Sequence, residues 1–257
     1  MMREEEYHDN FYETEASQIF ESALFAEARR RVVGFLGKQI ISSPKEYVLS
    51  LGSGDGNLDI QMAPLVGKIL GVEISEIAVK QAKEKAKLAQ VNNLDFQVGD
   101  IQKMSFTPNS FDVIWDPAVL HHIDDIQIAE LLQNSLSCLK PGGTFISLDP
   151  SSRRFVGLFK KIFDEKYKKY HSPDERELDI KKIRNSFQRA GFSSVTIHYT
   201  DYFLGPLAWL FPNFPRAIVP LAAALDSLLL LVPIVQLIAS FAVVAHKPSD
   251  PIDEEVH

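Results

Sequence analysis

Gly52, Gly54 and Gly56 alternate through VLSLGSGDGN, directly behind an apolar run. Such spacing lets the backbone turn sharply and admits a ligand against bare main chain. Amides opening a following helix can then face an anionic group. Glu73 ends the next apolar run, GKILGVE, 21 positions after Gly52. An acidic side chain there can accept from both hydroxyls of a ribose. Gly99 and Asp100 follow a third run, so a second carboxylate can accept from the exocyclic amine of a purine. Together these residues describe a nucleoside site. Taken singly, the loop is equally a tight turn that binds nothing, and Glu73 an exposed strand-end charge.

Beyond them lie Asp116 in FDVIWDP, the pair His121 and His122 in AVLHHIDD, and Asp149 in ISLDP. A histidine at such a place can act as a base toward a weakly acidic hydroxyl; it can equally cap a helix or shape a pocket. His122-x-Asp124-Asp125 has metal-ligand residue types, but no second ligand cluster stands near it in the sequence, and no metal is expected. The dinucleotide fingerprint G-x-G-x-x-G would need a small residue at position 57, where Asn57 stands. No Arg or Lys lies between Ser50 and Val66, which suits a cofactor with one carboxylate better than one with a pyrophosphate.

These residues need elements to hold them. Five apolar runs (EYVLSLG, KILGVEIS, LDFQVGD, SFDVIWDP and GGTFISLDP) alternate with helical stretches, among them Glu76–Gln90 and Asp125–Leu139. The alternation predicts a parallel sheet with right-handed crossovers and helices on both faces. Ligands of such sheets sit beyond the carboxyl ends of the strands, which is where every candidate above falls. Residues 11–41 read as one long helix ended by Ser42, Ser43 and Pro44. DIKKIRNSFQRAGF reads as a helix stopped at Gly191. SSVTIHYTDYF and IASFAVVAHKP are β-rich runs able to pair antiparallel at one edge.

Composition narrows the partners. A net charge of -7 and a pI near 5.5 argue against a nucleic-acid binder. The single cysteine, Cys138, excludes an intrachain disulfide and reads as a small core residue. MMREEEYHDN is acidic and without an apolar centre, so no secretory signal is expected and the cytoplasm is the expected location.

In their order, VLSLGSGDGN, GVEIS, GD, FDVIWDPAVLHHI and LKPGGTFISLDP resemble the class I S-adenosylmethionine-dependent methyltransferases, particularly the small-molecule enzymes. The likeness is close from about Glu46 to Pro150. It implies an α/β fold: a doubly wound, seven-stranded, mostly parallel sheet whose last strand runs antiparallel. It also implies S-adenosyl-L-methionine as cofactor. Gly52, Ser53, Gly54 and Gly56 would bracket its methionine part and Glu73 with Ile74 its ribose. Asp100 with Ile101 would hold adenine, and Asp116 would face the methionine end. The acidic residue that the family often carries two positions before the first glycine is Ser50 here, so Asp116 or Asp55 would have to compensate. A sulfonium methyl is already activated, which leaves alignment of the acceptor as the main task. His121, His122 and Asp149 are the candidates for contact with it. Tyr7, Phe11 and Tyr12 are candidates for an aromatic lid over the cation, or for plain helix packing.

One stretch exceeds what that fold needs. Residues 203–236 are strongly apolar and stand before the last strand, and 217–245 is long enough for a membrane span. Pro220, Asp226, Pro233 and Gln236 interrupt it, so a lid over an apolar acceptor or an element on a bilayer surface fits better. RRFVGLFKKIFDEKYKKY could be an interfacial helix with Lys160, Lys161, Lys166, Lys168 and Lys169 around an apolar face, or an ordinary amphipathic helix. The expected organisation is a helical cap over 1–44, a cofactor-binding core over 45–202, an insertion over 203–236, the last strand over 237–248 and a loose tail. The expected acceptor is small and lipid-like, with peripheral membrane contact. A non-catalytic cofactor binder anchored through the insertion is the alternative.

Overall fold

The computed structural model describes residues 4–14, 16–40, 46–152, 175–201, 203–233 and 239–249. The stretch 153–170, with its five lysines, lies outside them. Seven strands form one sheet in the order β3-β2-β1-β4-β5-β7-β6. They are β1 (Tyr47–Leu51), β2 (Lys68–Glu73), β3 (Leu94–Val98), β4 (Phe111–Pro117), β5 (Leu139–Asp149), β6 (Ser194–Tyr199) and β7 (Phe241–His246). Pairing among β1 to β5 is parallel, and β7 runs antiparallel between β5 and β6. Chain order reverses between β1 and β4, which places a crevice at their carboxyl ends. The doubly wound sheet is therefore as expected, including the two β-rich runs at its edge.

Side chains alternate across the sheet because successive Cβ atoms point to opposite faces. Leu49, Leu51, Ile114 and Phe145 face one layer, made by α6 (Asp125–Cys138) and α7 (Ile180–Ala190) with Leu131, Leu132, Ile183 and Phe187. Val48, Val113, Trp115 and Ile146 face the other, where Leu36 of α3 (Ala23–Gln39) and Met62 of α4 (Asn57–Met62) meet them. Cys138 belongs to the first layer, as expected of a small core residue. α5 (Glu76–Leu88) packs Val79, Ala82 and Ala86 on Phe96 of β3.

The single helix expected over 11–41 is corrected. The chain forms α1 (Glu4–Thr14), α2 (Ala16–Phe20) and α3 instead. Ser22 ends one turn and opens the next: its amide donates to Ile19 O at 3.0 Å, and its Oγ accepts from Phe25 N at 3.2 Å. A serine offering that cap outweighs an apolar periodicity that continues through it.

Part of the apolar stretch packs on these N-terminal helices. α8 (Leu204–Leu210) and α9 (Val219–Leu229) lay Leu204, Ala208, Val219, Ala222 and Ala223 against Leu24 of α3. Trp209 stands among Phe11, Phe20 and Phe25 with ring centroids 5.3 to 6.0 Å away. Pro220, which reads in sequence as an interruption, sits in the first turn of α9, where its missing N–H costs no hydrogen bond. No helix among the described residues is long and apolar enough to cross a membrane.

Asp226 is fully buried for a reason the sequence hides. Arg31 Nη1 donates to its Oδ2 at 2.8 Å, and Phe203 N donates to its Oδ1 at 2.8 Å. Arg31 Nη2 also donates to Ser227 Oγ at 2.7 Å and to the Ala223 carbonyl. Removing one member of such a pair strands the other. Asp226→Ala should therefore cost about 3–5 kcal/mol in urea unfolding. An added Arg31→Ala should cost far less on that background than alone.

Candidate functional site

The candidates converge on the carboxyl edge of the sheet. β1 ends at Leu51 and the glycine loop follows with Gly52, Gly54 and Gly56 at φ of 65°, 54° and 74°. These left-handed values strain any residue with a Cβ. Neighbours close the space as well. A Cβ on Gly52 would lie 2.3 Å from Val119 Cγ2, and one on Gly54 would lie 2.4 Å from Tyr12 Oη. Gly56 caps α4 and meets Phe96 and Ala82. The nearest close approach is thus made by the protein itself, from the loop after β4 and from α1.

Glu73 holds this loop. Its buried carboxylate accepts from Gly54 N at 3.0 Å and from Ser75 N at 3.1 Å, one bond on each oxygen. A carboxylate has lone pairs left for two further donors. Ser53 N donates to Val72 O, while its Oγ is buried without a partner. Ile74 is half-buried beside it. After β3, Asp100 Oδ1 accepts from Gln102 N at 2.9 Å and Oδ2 pairs with Lys103 at 2.8 Å; Ile101 packs on the core next to it.

α1 lies across this edge. Asp9 Oδ1 accepts from Ser75 Oγ and from Ile77 N, and Gln81 Nε2 donates to Tyr12 O at 3.0 Å. Tyr12 reaches the glycine loop and Phe11 leans on Trp209. Tyr7 lies instead edge-on to the His8 ring, where burial, with the charges of Glu175 and Glu4, raises its phenol far above the usual value.

Asp55 and Asp116, the two candidates to stand in for the acid missing at Ser50, differ. Asp55 is committed to Lys85 at 2.6 Å and to Asn57. Asp116 is fully buried, accepts from Val119 N at 2.7 Å, and has Oδ2 without a partner. Burial, with Asp149 beside it, pushes its carboxyl well above the ordinary range. Asp116 therefore has one oxygen without a protein partner, whereas both oxygens of Asp55 are engaged.

His121 and His122 occupy a 3-10 turn after β4. His121 Nδ1 donates to Asp149 Oδ1 at 2.9 Å, and its backbone N donates to the same oxygen at 3.2 Å. Ser147 Oγ donates to the other oxygen of Asp149. A carboxylate only accepts, so Nδ1 carries the proton and Nε2 keeps its lone pair. His122 Nδ1 donates to Glu4 Oε1 at 3.1 Å, leaving its Nε2 3.5 Å from Glu175 Oε1. Burial pushes the His122 imidazole down, which keeps it neutral. Burial alone would raise Glu4, but hydrogen bonds from His122 and His8 outweigh it and hold that carboxyl at about 2. His8 Nε2 lies 3.1 Å from Glu4 Oε1.

The sequence shows no ligand cluster near His122, and the structure assembles one from remote segments. Glu4 and His8 come from α1. Glu175 is brought in by Arg176, whose N donates to His121 O and whose Nε donates to Ile123 O, both at 2.9 Å. No local pattern marks these three residues.

Comparisons with known proteins bear on the family and the fold. A family model described as a methyltransferase domain matches residues 42–201. A demethylmenaquinone methyltransferase of Listeria welshimeri is 30% identical over 168 residues, covering 58% of this chain and 70% of that protein. Phosphoethanolamine N-methyltransferase 2 of Haemonchus contortus, solved with phosphomonomethylethanolamine and S-adenosylhomocysteine, superposes with a TM-score of 0.68. It is 16% identical, over 97% of this chain and 61% of that one. Geranyl diphosphate C-methyltransferase of Streptomyces coelicolor, solved with Mg2+, geranyl diphosphate and S-adenosyl-L-homocysteine, gives 0.61 at 12% identity, over 85% and 79%.

Behind the loop, Asp59 of α4 is fully buried and accepts from Trp115 Nε1 at 3.0 Å. Burial raises its carboxyl from an ordinary 3.8 to about 7. The folded chain then binds a proton that the unfolded chain has lost. The contribution of Asp59 to stability should be highest below about pH 4, fall between pH 4 and 7, and level off above. Asp59→Asn should flatten that fall, which amounts to a few kcal/mol, when urea midpoints are followed against pH.

Proposed function

Because this chain belongs to the methyltransferase-domain family and is a class I S-adenosylmethionine-dependent methyltransferase, we propose that it methylates a small apolar acceptor at the crevice beyond β1 and β4. The observation that carries the reading is the buried Glu73 carboxylate tied to the glycine loop. The cofactor supplies an activated methyl group; the chain binds it, aligns the acceptor and excludes water.

Each candidate then has a role. Gly52, Ser53, Gly54 and Gly56 admit the methionine part against the backbone. Glu73, with Ile74 beside it, holds the ribose, and Asp100 with Ile101 holds adenine. The spare oxygen of Asp116 suits the cofactor's ammonium, and the unpartnered Ser53 Oγ suits a polar group of the same moiety. Tyr12 closes the crevice from α1. His121 and His122 turn their Nε2 edges to the acceptor side of the crevice, with Asp149 fixing the tautomer of His121.

Two features support an apolar acceptor. The relative and the fold neighbour above carry a menaquinone precursor and geranyl diphosphate in their names, molecules with isoprenoid portions. In this chain, Leu221, Leu225 and Leu228 stand exposed at helical spacing along α9, with Ile218 exposed just before its first turn. That stripe suits contact with a bilayer surface from which such an acceptor is drawn.

Calorimetric titration with S-adenosylhomocysteine tests the cofactor site. The unaltered chain should bind, and Glu73→Ala should weaken binding by roughly 30- to 150-fold, the loss of hydrogen bonds to a charged group. Labelled methyl from the cofactor should enter a lipid extract that includes demethylmenaquinone; binding without transfer would favour the non-catalytic alternative.

The stripe is tested by sedimentation with anionic liposomes. Leu221→Glu with Leu225→Glu should leave the protein in the supernatant without lowering its melting temperature. Equal sedimentation of variant and parent would remove the membrane contact.

A further inference from the structure

We propose that His121 Nε2, His122 Nε2 and Glu175 Oε1 form a binding site for one divalent transition-metal ion of the zinc class. The three atoms lie within 4.8 Å of one another. Glu175 Oε1 is 3.5 Å from His122 Nε2 and 4.0 Å from His121 Nε2. An ion bound at about 2.0–2.2 Å to nitrogen and oxygen in tetrahedral geometry spaces its ligands about 3.4 Å apart. Seating it would need the His121–Glu175 separation to close by about 0.6 Å while the His122–Glu175 separation is already within about 0.1 Å.

The outer bonds strengthen the assignment. Each imidazole has its other nitrogen hydrogen-bonded to a carboxylate, His121 Nδ1 to Asp149 and His122 Nδ1 to Glu4. Metal-binding histidines almost always donate their second N–H in this way, which fixes the tautomer and presents the lone pair. A catalytic base would need one such histidine, and here two adjacent rings are fixed with both lone pairs near one carboxylate. Two imidazoles and a carboxylate suit zinc, iron, cobalt or nickel rather than magnesium or calcium. A competing triplet, Glu4 with His8 Nε2 and His122 Nδ1, has separations of 3.1 Å. Those are hydrogen-bond lengths already filled by a proton.

Three protein ligands leave at least one position for an oxygen of the acceptor. A hydroxyl bound there would be a stronger acid and would lose its proton to water more readily. Its oxygen would then form the bond to the methyl carbon while the sulfur–carbon bond breaks and its electron pair stays on sulfur. The ion site stands on the side chains alone; this use of it rests on the methyl-transfer reading above.

The test uses the full-length, untagged chain, stripped with chelator and titrated with zinc or cobalt(II). Calorimetry should find one site per chain, and cobalt should give visible absorption of a four- or five-coordinate ion. Glu175→Gln, which keeps the shape of a side chain only 11% exposed, should weaken binding at least 10-fold, as should His121→Ala. Circular dichroism checks that each variant is folded. His8→Ala should leave the affinity unchanged. No saturable binding, an unchanged affinity in Glu175→Gln, or a loss in His8→Ala would each overturn the site. S-adenosylhomocysteine titrated into the stripped chain separates the two claims. Cofactor binding without metal binding sinks only the ion site, and metal binding without cofactor binding sinks only the methyl-transfer reading.

Discussion

The carboxylate of Glu73 is held from two sides, by Gly54 N on one oxygen and Ser75 N on the other. It stands at the end of a strand whose neighbours are fixed in register from Tyr47–Lys68 onward. The left-handed glycine loop is also held by Ser53 N on Val72 O and Gly56 N on Ser53 O, and Glu73 adds the bond at its middle residue, Gly54. Around it the structure concentrates buried acids at one sheet edge: Asp59, Asp116 and Asp149 are all nearly inaccessible. Burying an acid without a partner is costly, and the fold eases that cost with the Trp115 N–H on Asp59, the Val119 N–H on Asp116, and the imidazole, amide and hydroxyl around Asp149.

What the sequence made legible was local. Apolar runs of strand length, the glycine loop, and the acids that close β2 and β5 are each read within a few residues, and the parallel sheet follows from their alternation. The break at Ser22 was hidden because the apolar spacing around it continues, and only a side chain turned back to its own helix reveals the cap. Asp226 and Pro220 read as interruptions of a span. Asp226 instead answers an arginine 195 positions away, and Pro220 begins a helix.

The site divides the same way. Residues on the loop after each strand were found because topology fixes where those loops point. Glu4 reaches His122 across 118 positions, and Glu175 arrives only through the bonds of Arg176 to the histidine turn. Such contacts leave no trace in spacing, since they depend on how two distant segments pack. Tyr12 and Val119 are similar: nothing local announces that they cover Gly54 and Gly52.

The grip of Arg31 on Asp226 and the tilted contact of Trp209 with Phe11 tie the N-terminal helices to α8 and α9. Elements joined in this way move together, not piece by piece as a free loop would. Any displacement of α1 from the glycine loop would then be a collective movement, of the kind that runs over microseconds to milliseconds. A substitution at Arg31 or Trp209, far from that loop, would bear on it through these contacts.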